Sequence, residues 1–240
     1  MKPPKTEIVV IVSANIEWKV IRALYAETEA QQSPLGEWFL VDIAVKGQSE
    51  RVLFFHGGWG KIAAAASAQY VIDHAEPQLL LNLGTCGGFA GDIEKGTIVL
   101  AERTIVYDII EQMTGAVEAI AHYSTDLDLA WLGESGEYPH KVLRTLLVSG
   151  DRDLVVEEVP QLKTMYGAVA GDWESGAIAF VATRNGTRCL ILRGVSDLVG
   201  GEGGEAYEGN VHVFAEGATA VMQRLLEELP GWIALFRGIQ

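Results

Sequence analysis

After a polar start the chain presents five consecutive apolar residues, Ile8–Val12. An apolar run with no polar face predicts a strand buried on both sides. Ile16, Val20, Ile21 and Leu24 then recur at helical spacing and predict a helix over 15–27. Residues 38–45 and 51–55 predict paired strands, with a turn near Gly47-Gln48-Ser49. Gly57-Gly58-Trp59-Gly60 breaks the pattern, and 61–74 is an alanine-rich helical stretch. Short apolar runs at 79–83, 97–101, 104–107, 146–148 and 189–192 predict further strands. Residues 151–158 predict a loop entering a helix, and 174–184 a helix with Ala177, Ile178 and Val181 on one face. A flexible Gly/Glu loop is expected at 200–204, then a closing amphipathic helix over 213–229. Residues 111–141 show no clean period. Strands alternating with helices predict a layered α/β sheet. With no repeat and no linker, 1–240 is expected to be a single domain.

Composition narrows the function classes. Hydrophobic residues make up 49% of 240, enough for a sizeable core. No apolar run reaches the 18 residues of a membrane-spanning helix. The run at 8–12 is short and lacks a cleavage site, so it reads as a strand and not as a signal peptide. Cys86 and Cys189 lie far apart in apolar stretches, which suits a reducing, cytoplasmic compartment. The five histidines form no close pair, and no Cys/His spacing suggests zinc. A net charge of -14 argues against a nucleic-acid partner, which needs a basic surface. It also disfavours large anionic substrates unless a local basic pocket intervenes; its ordinary consequence is solubility.

Three segments could carry chemistry, each at a strand end where ligands bind in open α/β sheets. In Asn82-Leu83-Gly84-Thr85-Cys86-Gly87-Gly88 a strand runs into small residues that let a ligand approach the backbone, although glycine-rich turns are also common structural features. In Gly171-Asp172-Trp173-Glu174-Ser175-Gly176-Ala177 the acids could start a helix, or a carboxylate could hold vicinal sugar hydroxyls. In Leu192-Arg193-Gly194-Val195-Ser196-Asp197 the aspartate just past an apolar strand could be a turn residue. It could also be a partly dehydrated carboxyl whose raised pKa suits a general acid.

Taken with 8–17 and 57–65, these segments resemble the nucleoside phosphorylase/nucleosidase superfamily, and within it most of all the 5′-methylthioadenosine/S-adenosylhomocysteine nucleosidases. The resemblance lies in a joint order: a strand followed by Glu17, Gly58-Trp59-Gly60-Lys61 with its alanines, Asn82 through Gly88, Ser149-Gly150-Asp151, the helix start at Glu174, then Arg193, Ser196 and Asp197. It is weakest at 110–142. It implies a three-layer α/β/α fold with a central mixed, partly barrel-like sheet.

It also implies roles. Asp197 would protonate the leaving purine at N7, with Ser196 and Arg193 belonging to the motif that positions it. Glu174 would grip the ribose 2′- and 3′-hydroxyls, and Glu17 would activate the attacking water. Thr85, Cys86 and Gly87 would line base and sugar, the backbone at Leu154 would meet the base, and Tyr207 would close over the ribose. The family's usual residues are replaced at several places. Asp153 stands for a stacking aromatic, Trp59 for an isoleucine, Ala14 for a methionine beside the 5′ group, and Asp172-Trp173 for Glu-Met. The expected activity is hydrolysis of a purine nucleoside. A phosphate-dependent phosphorylase, a futalosine-type hydrolase and a nucleoside-binding protein without turnover are the alternatives. Asn82, where hexameric phosphorylases carry a phosphate-binding arginine, and the charge of Glu17 favour water over phosphate. No metal or organic cofactor is implied, and the usual assembly of such nucleosidases is a homodimer.

Overall fold

All five side chains of β1 (Ile8–Val12) are fully buried, as an apolar stretch without a polar face requires. The structure is a computed structural model that describes residues 1–113, 115–133, 137–201, 203–207 and 209–238. From β1 the chain runs through α1 (Asn15–Leu24), β2 (Gln31–Gln32), β3 (Glu37–Val45), β4 (Gln48–His56), α2 (Lys61–Ala75), β5 (Leu79–Phe89) and β6 (Ile98–Val106). There follow α3 (Ala116–Tyr123), β7 (Thr125–Asp126), β8 (Leu143–Ser149), α4 (Val159–Tyr166), β9 (Ala170–Asp172), α5 (Ser175–Arg184), β10 (Arg188–Gly200), β11 (Gly203–Gly204) and α6 (Val211–Arg237).

Among the described residues the strands join in one mixed sheet, ordered β11-β10-β6-β8-β9-β5-β1-β4-β3-β2. Because β5 also pairs with β10, the strands β10, β6, β8, β9 and β5 close into a ring, from which β1, β4, β3 and β2 extend as a wing. α2 packs on α5 and α1 on α6, which makes the helical layers of the expected α/β/α arrangement. Close contact between α6 and β10 depends on two glycines. A Cβ on Gly194 would meet Val221 at 2.3 Å, and one on Gly217 would meet the Ser196 carbonyl oxygen at 2.3 Å. No helix among the described residues is long and apolar enough to cross a membrane.

Several expected boundaries move. The β3–β4 turn is Lys46-Gly47, both at positive φ as a tight hairpin needs, so Gln48 and Ser49 already belong to the strand. The two strands expected at 97–107 are one, β6, with an irregularity between Ala101 and Arg103 against β8. The small residues 84–88 are not a loop: β5 continues through them to Phe89. Asp197 likewise lies inside β10 and not beyond it. Gly203–Gly204 turn back on β10 as a strand, while Glu202 lies outside the described residues.

α6 runs past Pro230, which lacks an amide for the helix. Burial of Leu229, Trp232 and Ile233 accounts for its persistence. In 111–141, Thr114 and residues 134–136 lie outside the described residues. The rest includes α3, which buries no residue fully, although Ile120 packs against the apolar cluster around Phe89 and Ile105. Ile110, Met113 and Val117 are the most exposed large apolar side chains in and beside this stretch, and Tyr123 is exposed as well.

Candidate active site

The C-terminal halves of β5 and β10, the first turn of α1, the start of α5 and the segments after β4 and β8 enclose a cleft of about 510 Å³. Glu17, Glu174 and Asp197 all line it. So do Thr85, Cys86, Gly87, Asp153, Leu154, Asp172, Trp173 and Ser196, together with Ala14, Trp59 and Tyr207. Arg193, the remaining expected residue, is fully buried beneath the cleft.

Arg193 organises the floor. Nη2 donates to Asn82 Oδ1 at 2.8 Å, Nε lies 2.8 Å from Asp172 Oδ2, and Nη2 lies 3.6 Å from Glu174 Oε2. The Nε contact is an ion pair without hydrogen-bond alignment. Space for the guanidinium comes from Gly84, where a Cβ would stand 1.9 Å from Nη1 and 3.0 Å from Glu17 Oε1. Asn82 also donates to the Ile11 carbonyl at 3.1 Å, so its amide is committed at both ends.

Glu17 sits in the first turn of α1. Its Oε1 accepts from the backbone N and the hydroxyl of Thr85, both at 2.7 Å, and its Oε2 accepts from Ala14 N at 3.2 Å. The last bond is half of a capping box, so one carboxylate both starts a helix and faces the cleft. Burial raises its pKa above the ordinary glutamate value, against the opposing pull of Arg193 and the Thr85 bonds.

The two readings of the second segment divide between two acids. Asp172 serves the helix start, its carboxylate accepting from Ser175 N at 3.2 Å and Ser175 Oγ at 2.8 Å. Glu174 is left to the cleft, with Oε1 accepting from Gly60 N at 3.1 Å. Burial pushes the Glu174 carboxyl up to about 8; Arg193 works against this, while Asp172 and Glu17 add to it. Three carboxylates thus share one guanidinium, and a dry site with that excess of acid favours holding a proton.

At the other end, an extra residue in β10 re-aims the chain. Val195 pairs with Cys86 and Asp197 with Gly87, so Ser196 bulges out between them. Ser196 Oγ donates to Asp197 Oδ1 at 2.6 Å. Burial raises the Asp197 carboxyl above its ordinary value, partly offset by that bond. Gly87 keeps the space in front open: a Cβ there would stand 3.1 Å from Leu154 Cδ1 and 3.9 Å from Asp197 Oδ2. The Cys86 thiol feels the charges of Asp172, Asp197 and Glu17, and burial holds its pKa far above the usual range, so it stays protonated and un-nucleophilic.

Tyr207 reaches across, and its hydroxyl donates to the Leu154 carbonyl at 2.9 Å. That carbonyl keeps a second lone pair for a base. Asp153 is exposed at the rim, and the aromatics near it are Tyr207 and Tyr107. Trp59, 60% exposed, tilts against Trp173 with ring centroids 5.6 Å apart. Val211 and Phe214 of α6 add an apolar wall, Val211 lying ahead of the helix expected over 213–229, and Arg152, paired with Glu158 at 3.2 Å, also lines the cleft.

Residues 7–229 match the family model described as "Phosphorylase superfamily". A 5′-methylthioadenosine/S-adenosylhomocysteine nucleosidase of Actinobacillus succinogenes is 26% identical over 211 residues, covering 84% of this chain and 91% of the relative. The crystal structure of a nucleosidase of the same name from Helicobacter pylori, bound to butyl-thio-DADMe-Immucillin-A, superposes with TM-score 0.74 at 15% identity, covering 94% and 98% of the two chains. Futalosine hydrolase of Helicobacter pylori superposes equally well, at TM-score 0.74 and 18% identity over 93% and 97%. These two likenesses establish a shared fold, and the match over almost the whole length establishes descent: the chain belongs to the phosphorylase superfamily.

Proposed function

We infer that this chain hydrolyses the N-glycosidic bond of a purine nucleoside, with 5′-methylthioadenosine and S-adenosylhomocysteine as the substrates to try first. The observation that carries the reading is the convergence of Glu17, Glu174 and Asp197 on one cleft above a single buried guanidinium. Cleavage of an N-riboside passes through an oxocarbenium-like cation, as other glycoside hydrolyses do. Asp197, whose carboxyl burial raises above its ordinary value, supplies the proton that makes the base a competent leaving group. Glu174 grips the ribose hydroxyls and, once ionised, favours positive charge at the anomeric carbon. Glu17 takes the proton from the attacking water. The nucleosidase names of the curated relatives and the inhibitor bound to the Helicobacter pylori enzyme support the same reading.

Water is favoured over phosphate by charge. Asp153, Asp172 and the three acids above line the cleft, and the Arg193 guanidinium lies beneath them, enclosed by Asn82, Asp172 and Glu174. An incoming dianion would meet an excess of carboxyl groups, with Arg193 enclosed and Arg152 at the cleft paired with Glu158. The test is incubation with both nucleosides, adenosine and futalosine, with and without phosphate, followed by detection of free base. Release without phosphate is expected; strict dependence on phosphate would overturn the reading. A different 5′ substituent is the second possibility, favoured by Ala14 and the Trp59–Trp173 pair where the resemblance implies Met, Ile and Met.

The assembly we propose is a homodimer in the cytoplasm. Its support is the exposed apolar set Trp59, Ile62, Ile110, Met113 and Val117, whose segments are joined by the Lys61–Asp108 ion pair. Both cysteines are buried and free, which suits a reducing compartment. Sedimentation should give twice the 26.0 kDa chain mass, and Ile62→Lys should shift it towards monomer.

A further inference from the structure

The N-terminus of α2 serves two parts of the cleft at once. Gly60 N donates to Glu174 Oε1 at 3.1 Å, and Lys61 N donates to Asp151 Oδ1 at 2.6 Å. These amides belong to a helix start, which leaves its first donors without intrahelical partners and carries partial positive charge. Asp151 opens the irregular segment that brings Asp153 and Leu154 into the cleft. Its own backbone N donates to Asp108 Oδ2 at 2.8 Å, and Asp108 Oδ1 is paired with the Lys61 ammonium. The contacts close a ring: the Lys61 amide holds the Asp151 side chain, the Asp151 amide holds Asp108, and Asp108 holds the Lys61 ammonium. The side chains of Lys61 and Asp108 keep only 23% and 11% of their surface exposed, so solvent screens the pair far less than a surface pair. Gly60 fits the crowded corner because it sits at φ 87°, and a Cβ there would stand 3.2 Å from Asp151 Oδ1.

We propose that Lys61, Asp108 and Asp151 are positioning residues that fix the base-binding segment against Asp197 and lock it to the ribose clasp at Glu174. The inference rests on the nucleosidase reading of this cleft. Two carboxylates, at 108 and 151, meet where one ammonium and one helix end neutralise them. Without the ammonium they repel, and the segment is released at its first residue. Gly150 stays fastened through its N to the Asp172 carbonyl at 3.0 Å, so the strands beneath keep their register. The sugar clasp also keeps its Gly60 bond. The loss should therefore fall on the base and spare the sugar.

The test is Lys61→Met, with Lys61→Arg as the conservative rescue and Asp108→Asn as a second lesion that keeps an acceptor for the Asp151 amide. Adenine affinity by titration should weaken at least about tenfold in Lys61→Met, the loss of one charge-assisted contact. Hydrolysis of methylthioadenosine should fall about ten- to a hundredfold in kcat/KM, because small misplacements of a reacting group are costly. Cleavage of 4-nitrophenyl riboside, whose leaving group needs neither the base segment nor a proton at N7, should stay within about twofold, since its sugar contacts are untouched. Lys61→Arg should recover most of the adenine affinity. Equal losses on both substrates, or unchanged adenine affinity, would overturn the proposal; if Lys61→Met does not fold, the same comparisons in Asp108→Asn decide it. Phosphate-free base release by the wild-type protein separately tests the underlying nucleosidase reading.

Discussion

β5 and β10 pair along nearly their whole length, yet their two halves do opposite work. From Leu79 to Leu83 and from Cys189 to Leu192 every side chain is buried and almost all are apolar. From Gly84 to Gly88 and from Arg193 to Asp197 the same ladder carries glycine, threonine, serine, arginine and aspartate. The backbone pairing continues unbroken except at the Ser196 bulge. One half of the pair therefore contributes free energy of folding, and the other spends some of it by burying polar and charged groups. The comparison teaches that a site can be held by the rigidity of strands whose own side chains, locally, do little to stabilise them.

The contrast can be broken from either side. Asp197→Asn should lower kcat by about 10²–10⁴, the usual worth of a general acid, with little change in melting temperature because Asn is nearly isosteric. A variant that turns over normally would remove Asp197 from the chemistry. Leu81→Ala, in the apolar half, should cost about 2–5 kcal/mol in denaturant unfolding while activity per folded molecule is unchanged. A selective loss of kcat there would mean that the halves are not separable. Glu174→Gln should lower kcat/KM by about 10- to 100-fold through a weakened sugar contact, the worth of a bond to a charged group. Unchanged kinetics would confine Glu174 to the Gly60 amide.

A separate effect is on stability against pH. The folded pKa of Glu174, about 8, stands above its ordinary 4.5. Stability tied to the protonated form is complete below the ordinary value and is lost as pH rises through 8. Wild type should therefore lose more stability than Glu174→Gln between pH 5 and 9, by up to about 4 kcal/mol. Parallel melting curves for the two proteins would contradict that burial.

Reading from the sequence succeeded where side chains announce their surroundings. β1 and the apolar starts of β5 and β10 could be found because a strand buried on both faces must be apolar. Their site halves were read as lying past the strand ends, because glycine there serves close approach by Arg193 and Glu17 and not a turn. β9 is three residues long, too short for any period to show. The end of α6 was placed at a proline that packing overrides. In the cleft, Glu17, Glu174 and Asp197 were legible through the joint motif. Lys61 and Asp151 lay inside that motif without a visible task, and Asp108 gave no signal, since its partners stand 47 and 43 residues away.

The sheet's outermost strands, Gln31–Gln32 and Gly203–Gly204, have two residues each, and β5 and β10, which line the cleft, belong to a closed ring. Unpaired backbone donors and acceptors at a sheet margin invite another polypeptide to add itself as one more strand. Among the described residues β2 covers β3 only at Glu37 and Trp38, so Phe39–Val45 keeps a free margin opposite β4. A strand added from another polypeptide would extend the wing there, away from the ring that holds the cleft.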